Sequence, residues 1–472
     1  MRQTILIILI LLTGKVTLAQ EVDTTITLTN TVLEVRVVAD SLRIPWDMVW
    51  GPDGRIWFTE RKGTVKRLDL ETGVVDSIYH INDVFTSTEN SGLHAMTLHP
   101  NFPMPAHVFV HYTYGLYSSR VERYTYDVST NTLIEPTVII PFLNGNSSHN
   151  GSRMQWDADG KLLFSIGDAY VYLAFPQNVS HNNGKVLRMN PDGSAPSDNP
   201  ISGSLVWSWG HRNPQGMVLA NNGKLYLSEH GPDTDDELNL VEPGRNYGWP
   251  YVRGFCDPET TYFDSISEVQ FCMDSNVVEP LKVWTPTQAP CGLEYYDHPS
   301  IPEWNNSLLL CFLKVRRMKS LKLDPTGESV VEENDLLNQY YGRLRDVLMA
   351  PDGRVFICTS NNDQGPVDYF WDKILELKNA DFLVERLEVE FTEDQVVVFP
   401  NPSSGSVFVQ LPNHLKSIQY QLLDISGKVV RSANPNLEFG GFEIKRSSLP
   451  AGVYTLRIGT RNGMVVKRVI FS

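Results

Sequence analysis

The sequence predicts an all-β protein, a six-bladed β-propeller followed by a small C-terminal β-sandwich. Three observations predict it. A strand-turn-strand unit recurs six times, no sustained helical period competes with it, and composition and charge change near residue 396.

The first 19 residues stand apart. A basic Arg2, the apolar run "ILIILILLTG" and the small-residue end "TLA" before Gln20 have the pattern of a secretory signal peptide. The run is short for a membrane-spanning helix. No cysteine follows it, which argues against lipidation there.

The repeated unit is an apolar strand, a tight turn and a second apolar strand. It occurs as "MVWGPDGRIWFTE", "MQWDADGKLLFSIGD", "MVLANNGKLYLSEHG" and "VLMAPDGRVFICTS", with variants lacking the glycine at "MTLHPNFPMPAHVFVHYTY" and "SLLLCFLKVRRMKSLKLD". Intervals of roughly 45 to 65 residues suit one four-stranded blade each, which places the propeller at 30–380. A linker is expected at 381–395. From Val396 onward, alternating strands separated by Gly, Asn and Ser turns predict the sandwich, 396–472. This segment carries nine Lys and Arg against three Asp and Glu, whereas the whole chain has a formal charge of −15. Two domains of different electrostatic character follow, and the acidic main domain makes nucleic acid an improbable partner.

Five cysteines show neither CxxC nor CxxCH spacing, which argues against a zinc knuckle or attached haem. In an oxidising compartment Cys256 and Cys272 could close the loop between them, and at least one thiol stays unpaired.

Four stretches bring charged or coordinating groups to blade loops. In "SSHNGSRMQWDADGKLLFSIGDA", counting outward from the turn sets His149 opposite Asp168 at the open end of a hairpin. That pairing orients and polarises a general base, though an arbitrary pair of this kind is more often a structural histidine capping a loop. In "WGHRNPQG", Arg212 and Asn213 precede a strand. In "SEHGPDTDDELNLVEPGRNYGWP", Pro232 has no N–H, which leaves the Gly231 and Pro232 carbonyls able to face a cation; acids Asp233, Asp235, Asp236 and Glu237 follow. That oxygen-rich supply suits calcium better than zinc. Finally, Lys314 in "CFLKVRR" and Arg343 and Arg345 in "GRLRDV" bring cations to blade mouths. The two arginines alternate with Leu344 and share a strand face, an arrangement rationalised by an anion between them or by salt bridges to the chain's many acids.

Together, in order and near spacing, "SSHNGSR…SIGD", "WSWGHRNPQG", "SEHGPDTDDELNLVEPGRNYGWP", "FLK" and "GRLRDVLMAPDGRVF" resemble the soluble glucose/sorbosone dehydrogenases that depend on pyrroloquinoline quinone (PQQ), a family that includes the aldose sugar dehydrogenases. The resemblance runs over most of 40–378. It implies that His149 removes the proton of the substrate hydroxyl with Asp168 orienting it, and that Arg212 and Asn213 contact the quinone, Arg212 also stabilising developing charge. It implies further that Lys314, Arg343 and Arg345 bind the cofactor carboxylates, and that the Gly231 and Pro232 carbonyls hold a calcium ion. A second, structural calcium would use Glu237 and the backbone carbonyl of Tyr247. One position departs from the family: Asn90, in "TENSGLHAM", stands where a Gln usually helps position substrate and cofactor. "FPNPSSG", "DISGKVV", "LPAGVYTLRI" and the terminal "KRVIF" resemble the C-terminal sorting domain of the type IX secretion system, which implies that machinery as a partner and a secreted or surface-attached product.

The resulting expectation is a secreted quinoprotein that oxidises aldose sugars at the anomeric carbon to lactones, passing electrons to an acceptor the sequence does not specify. Two other readings stay open: a calcium-dependent lactonase or related hydrolase on the same fold, and a non-catalytic glycan-binding propeller.

Overall fold

The structure is a computed structural model. It describes residues 21–86, 90–258, 266–363, 371–382, 395–412, 415, 418–437, 440–460 and 463–472. The expected signal peptide, and the expected linker apart from Asp381, Phe382 and Gln395, lie outside these residues.

Strands dominate. Five four-stranded antiparallel sheets follow one another along the chain, over 45–80, 93–144, 151–209, 214–284 and 290–336. A sixth sheet takes its first three strands from 344–379. Its next strand is Val32–Leu42, pairing with Asp372–Asn379, and Thr24–Thr27 is added outside that. The N-terminal segment therefore closes the ring by pairing with the last sheet, a non-local link that no local periodicity announces. This closure begins upstream of the expected boundary at residue 30.

The first strand of each sheet lies against the first strand of the next, and Leu344–Met349 of the sixth returns to Pro45–Trp50 of the first. Arg153, on the third sheet's first strand, donates to Asp47 on the first sheet (2.5 Å) and pairs with Asp346 on the sixth (3.0 Å). All three are buried. Bonds that skip across the ring require these first strands to share a central axis.

A common irregularity shapes one end of that axis. In all six sheets the pairing of first and second strands shifts register near the start of the first strand, between Pro45 and Met48, Leu93 and Met96, Gly151 and Arg153, Pro214 and Gly216, Pro290 and Leu293, and Leu344 and Asp346. Such bulges re-aim side chains and end pairing, which suits a rim that must present polar groups. The opposite end of the hairpin is the tight turn read from sequence: Gly160 sits at φ 69° in the "DADG" turn, where a side chain would be strained. The fifth unit differs from its sequence reading. "SLLLCFLKVRRMKSLKLD" forms the second and third strands, Ser307–Phe312 and Arg317–Leu323, while the first, Pro290–Tyr296, is joined to them through a short 3-10 turn at Pro302–Trp304.

The insertion after Trp249 holds the one α-helix among the described residues, Glu268–Ser275, tied by the disulfide Cys256–Cys272. Cys291, Cys311 and Cys358 are buried free thiols. The C-terminal segment forms a three-stranded and a four-stranded sheet that share one core of residues including Val407, Phe442, Leu456 and Val469.

Candidate active site

His149 lies in the loop just before Gly151–Trp156, at the bulged rim, with φ 56°. Three features hold it there. Asn150 folds its side chain back on Asn146, accepting from that residue's N–H (2.9 Å) and donating to its carbonyl (2.8 Å). The His149 carbonyl accepts from the N–H of Ala169 (3.1 Å). It also passes so close to Gly167 that a Cβ there would lie 2.1 Å away, so this position requires glycine.

The imidazole Nδ1 meets Asp168 Oδ1 at 2.8 Å, and both side chains are buried. The hairpin count is thus upheld. With Nδ1–H donated to the carboxylate, Nε2 carries the lone pair. Asp168 is itself fixed: Oδ1 also accepts from the N–H of Tyr170 (3.1 Å), and Oδ2 accepts from the indole N–H of Trp249 (2.8 Å).

Arg212 and Asn213 belong to the same rim. The N–H of Asp168 donates to the Arg212 carbonyl (2.8 Å), and the N–H of Gly151 donates to the Asn213 side-chain Oδ1 (3.1 Å), so one backbone and one side-chain bond join the loops of the third and fourth sheets. The Arg212 guanidinium donates to the His230 carbonyl (2.9 Å) and lies 5.2 Å from the Trp249 ring. It forms no ion pair among the described residues, and its buried Nε has no hydrogen-bond partner there. A buried guanidinium without a carboxylate needs an anion from elsewhere. His230 faces Arg212, His149 and Arg345. Burial first, then those neighbours, hold it neutral, down at about 3.

The late cations divide. Lys314 is exposed and its ammonium donates only to the Thr287 hydroxyl (2.8 Å) among the described residues. Arg343 and Arg345 do enclose an anion, but it is the chain's own Asp363. Arg345 donates to Asp363 Oδ2 at 2.6 Å and Arg343 donates to the same oxygen at 3.0 Å. Arg345 is 1% exposed, packed 3.8 Å above the Trp46 ring and bonded to Ser360 and Gln215. Of the two arrangements open to the pair, the structure shows the salt bridge: Asp363 lies between the arginines, where the resemblance implied cofactor carboxylates, and Arg343, more open than Arg345, is the member a ligand can reach.

Asn90 joins the His149 loop through its backbone. Its N–H donates to the Ser147 carbonyl (2.6 Å), and its carbonyl bonds His94 Nε2 (2.6 Å).

Three of the expected metal residues, Gly231, Pro232 and Glu237, line one small pocket with Arg212, Glu229, His230 and Trp249. Asp236 clips that loop, accepting from the N–H groups of Gly231 (2.9 Å) and Ala289 (2.7 Å) rather than facing a cation. Glu237 is buried and accepts from Gly254 N–H (2.7 Å) and Asn239 (2.9 Å); burial, then the Glu229 charge, pushes its carboxyl well above the usual range. Oxygen donors crowded with two carboxylates in a dry space form a set that suits a hard divalent cation. Tyr247 does not line that pocket; its ring stacks on His211 (4.7 Å), which bonds Glu229, and its hydroxyl donates to the Leu240 carbonyl (2.7 Å). Among the described residues no three His, Cys, Asp or Glu side chains are grouped to hold a metal.

Trp249, Tyr170, Asp363 and His230 were not read as site residues. Trp249 had a signal in "GRNYGWP", as had His230 in "SEHGPD" and Tyr170 two residues beyond Asp168; Asp363 comes from the turn after the strand that neighbours Arg343 and Arg345.

A family model for glucose/sorbosone dehydrogenases matches residues 42–367. The chain belongs to that family. A second model, for a secretion-system C-terminal sorting domain, matches 397–472. Among relatives of this glucose/sorbosone dehydrogenase family member, quinoprotein glucose dehydrogenase B of Acinetobacter calcoaceticus is 30% identical over 399 residues, covering 68% of this chain and 84% of its own. An aldose sugar dehydrogenase of Escherichia coli is 27% identical, covering 70% and 91%. The PQQ-bound aldose sugar dehydrogenase of Streptomyces coelicolor superposes with a TM-score of 0.63 at 30% identity, covering 73% of this chain and 98% of that one.

Proposed function

We propose that this protein is an exported, PQQ- and calcium-dependent aldose dehydrogenase that oxidises sugars at the anomeric carbon to lactones. The observation that carries the reading is the buried His149–Asp168 pair beside Arg212, a guanidinium with no ion-pair partner among the described residues. We read the ring of sheets as a six-bladed propeller over 30–380 and the C-terminal pair of sheets as a β-sandwich over 396–472.

His149 Nε2 accepts the proton of the anomeric hydroxyl, because Asp168 holds the Nδ1 proton and stabilises the imidazolium that forms. Arg212 and Asn213 flank that hydroxyl; the guanidinium favours the negative charge that develops on its oxygen. Arg343 and Lys314 hold the cofactor's carboxylates, with Arg345 held beside Arg343 by Asp363. The Gly231 and Pro232 carbonyls take the cofactor-side calcium, and Glu237 with the Tyr247 carbonyl a structural one. Asn90, one methylene shorter than Gln, borders the pocket. When bound, PQQ supplies the two-electron acceptor for the anomeric hydride and calcium polarises it. The sorting domain supports export by type IX secretion to the medium or cell surface. Arg212 and Lys314, which form no ion pair among the described residues, support a polyanionic cofactor over the hydrolase reading.

The test is reconstitution with PQQ and calcium, titrated to a stoichiometric end point. Saturable binding followed by aldose-dependent bleaching of an artificial dye supports the reading. A folded protein that binds no cofactor overturns it.

A further inference from the structure

We propose that Trp249 is a positioning residue of the catalytic base, acting through Asp168; this rests on the proposed role of His149. The Asp168 carboxylate can turn about its side-chain bonds, and a single bond to His149 would not fix its plane. Two further donors do. The Tyr170 N–H binds the oxygen that faces His149, and the Trp249 indole N–H binds the other. An indole donates only and does not titrate near neutral pH, so it holds the carboxylate in one orientation across that range. Held so, Asp168 presents one oxygen to Nδ1 and keeps the lone pair on Nε2.

Trp249 is itself anchored on three sides. Its N–H donates to the Gly210 carbonyl (3.0 Å), its carbonyl accepts from Gln177 (2.8 Å), and it is 7% exposed. Its ring also carries the Arg212 guanidinium at 5.2 Å. One side chain thus sets the spacing between the base and the cation expected to stabilise the oxygen it deprotonates. Among the described residues, Asp168, the Tyr170 ring stacked on it, and His230 with Arg212 behind face His149.

Removing the indole N–H leaves the carboxylate charge less satisfied and a stronger acceptor for the imidazole proton, so His149 becomes more basic. The experiment follows the His149 resonance in cofactor-free protein labelled with [13C]histidine, the signal assigned by its loss in His149→Gln, for wild type and Trp249→Phe. The expected result is a titration midpoint higher by about half a unit or more, a threefold or larger gain in proton affinity. With the cofactor restored, kcat falls about tenfold and KM for the sugar changes less than about twofold. An unchanged midpoint with a merely lower melting temperature overturns the proposal and leaves Trp249 as packing. Where Trp249→Phe fails to fold, 3-benzothienylalanine at position 249, which keeps the bicyclic shape without the N–H, gives the same reading. A shifted midpoint in a protein that turns over no aldose would retain the positioning role and reject the dehydrogenase reading.

Discussion

The ring of Tyr170 lies flat on the imidazole of His149, centroids 3.7 Å apart and planes 23° from parallel. Tyr170 is nonetheless 60% exposed and held at φ 52°, so it roofs the base from the solvent side. A substrate must share that space. Tyr170→Ala is expected to open the pocket, raising kcat/KM for disaccharides relative to monosaccharides by about threefold or more, near the value of one aromatic stack. Steady-state comparison of the two sugar classes checks it, and an unchanged ratio removes Tyr170 from the wall.

Asp363 joins two arginines in a buried cluster in which it and Arg345 are each 1% exposed at the side chain. Breaking such a pair strands a charge without water. Asp363→Asn is expected to cost about 3 kcal/mol of folding stability by urea denaturation. A loss under about 1 kcal/mol would mean that Ser360 and Gln215 suffice for Arg345.

These two relationships also show what a linear reading reaches. The turns "PDG", "DADG" and "NNG" mark hairpins because glycine relieves a local backbone strain, and His149 faced Asp168 because antiparallel register is a matter of counting. The partner of Arg343 and Arg345 could not be counted. Asp363 follows the neighbouring strand Val355–Thr359 and reaches the arginines only through the turn at its end. Trp249 arrives from a loop 81 positions from Asp168. The ring's closing strand, Val32–Leu42, is more remote still from Asp372–Asn379, with which it pairs. Contacts set by ring closure carry no short-range pattern, whereas those set by a tight turn do.

Glu294 gives a pH signature unrelated to catalysis. It borders a cavity of about 460 Å³ lined by the far ends of the first strands, and burial pushes its carboxyl up to about 7 against the ordinary 4.5. The folded protein therefore keeps a proton that the unfolded chain releases, and stability falls as pH rises between about 4.5 and 7. Glu294→Gln should exceed wild type by of order 1 kcal/mol at pH 8 and match it near pH 4. Urea titrations at both pH values check it. Equal stabilities at pH 8 would contradict the raised titration of this half-buried carboxyl.

Calcium should stabilise the fold without any cofactor, because Glu237 and Glu229 are carboxylates crowded in one buried region. At a hundredfold excess over the dissociation constant, binding contributes about 2.7 kcal/mol, which is a few degrees in melting temperature. Calorimetry with calcium and after chelation reads this shift, and Glu237→Gln should reduce it by half or more. Identical melting in both conditions would dismiss a structural calcium at Glu237.

The central claim is that His149 is the base of a sugar oxidation, and one comparison tests it most directly. Wild type and His149→Ala, both reconstituted with PQQ and calcium and shown to bind equal amounts of cofactor, are assayed for aldose-dependent dye reduction with the lactone product identified. The expected result is turnover in wild type and a loss of at least about 10²-fold in the variant at unchanged cofactor content. Equal rates in the two proteins, or a hydrolysed product without dye reduction, would contradict it.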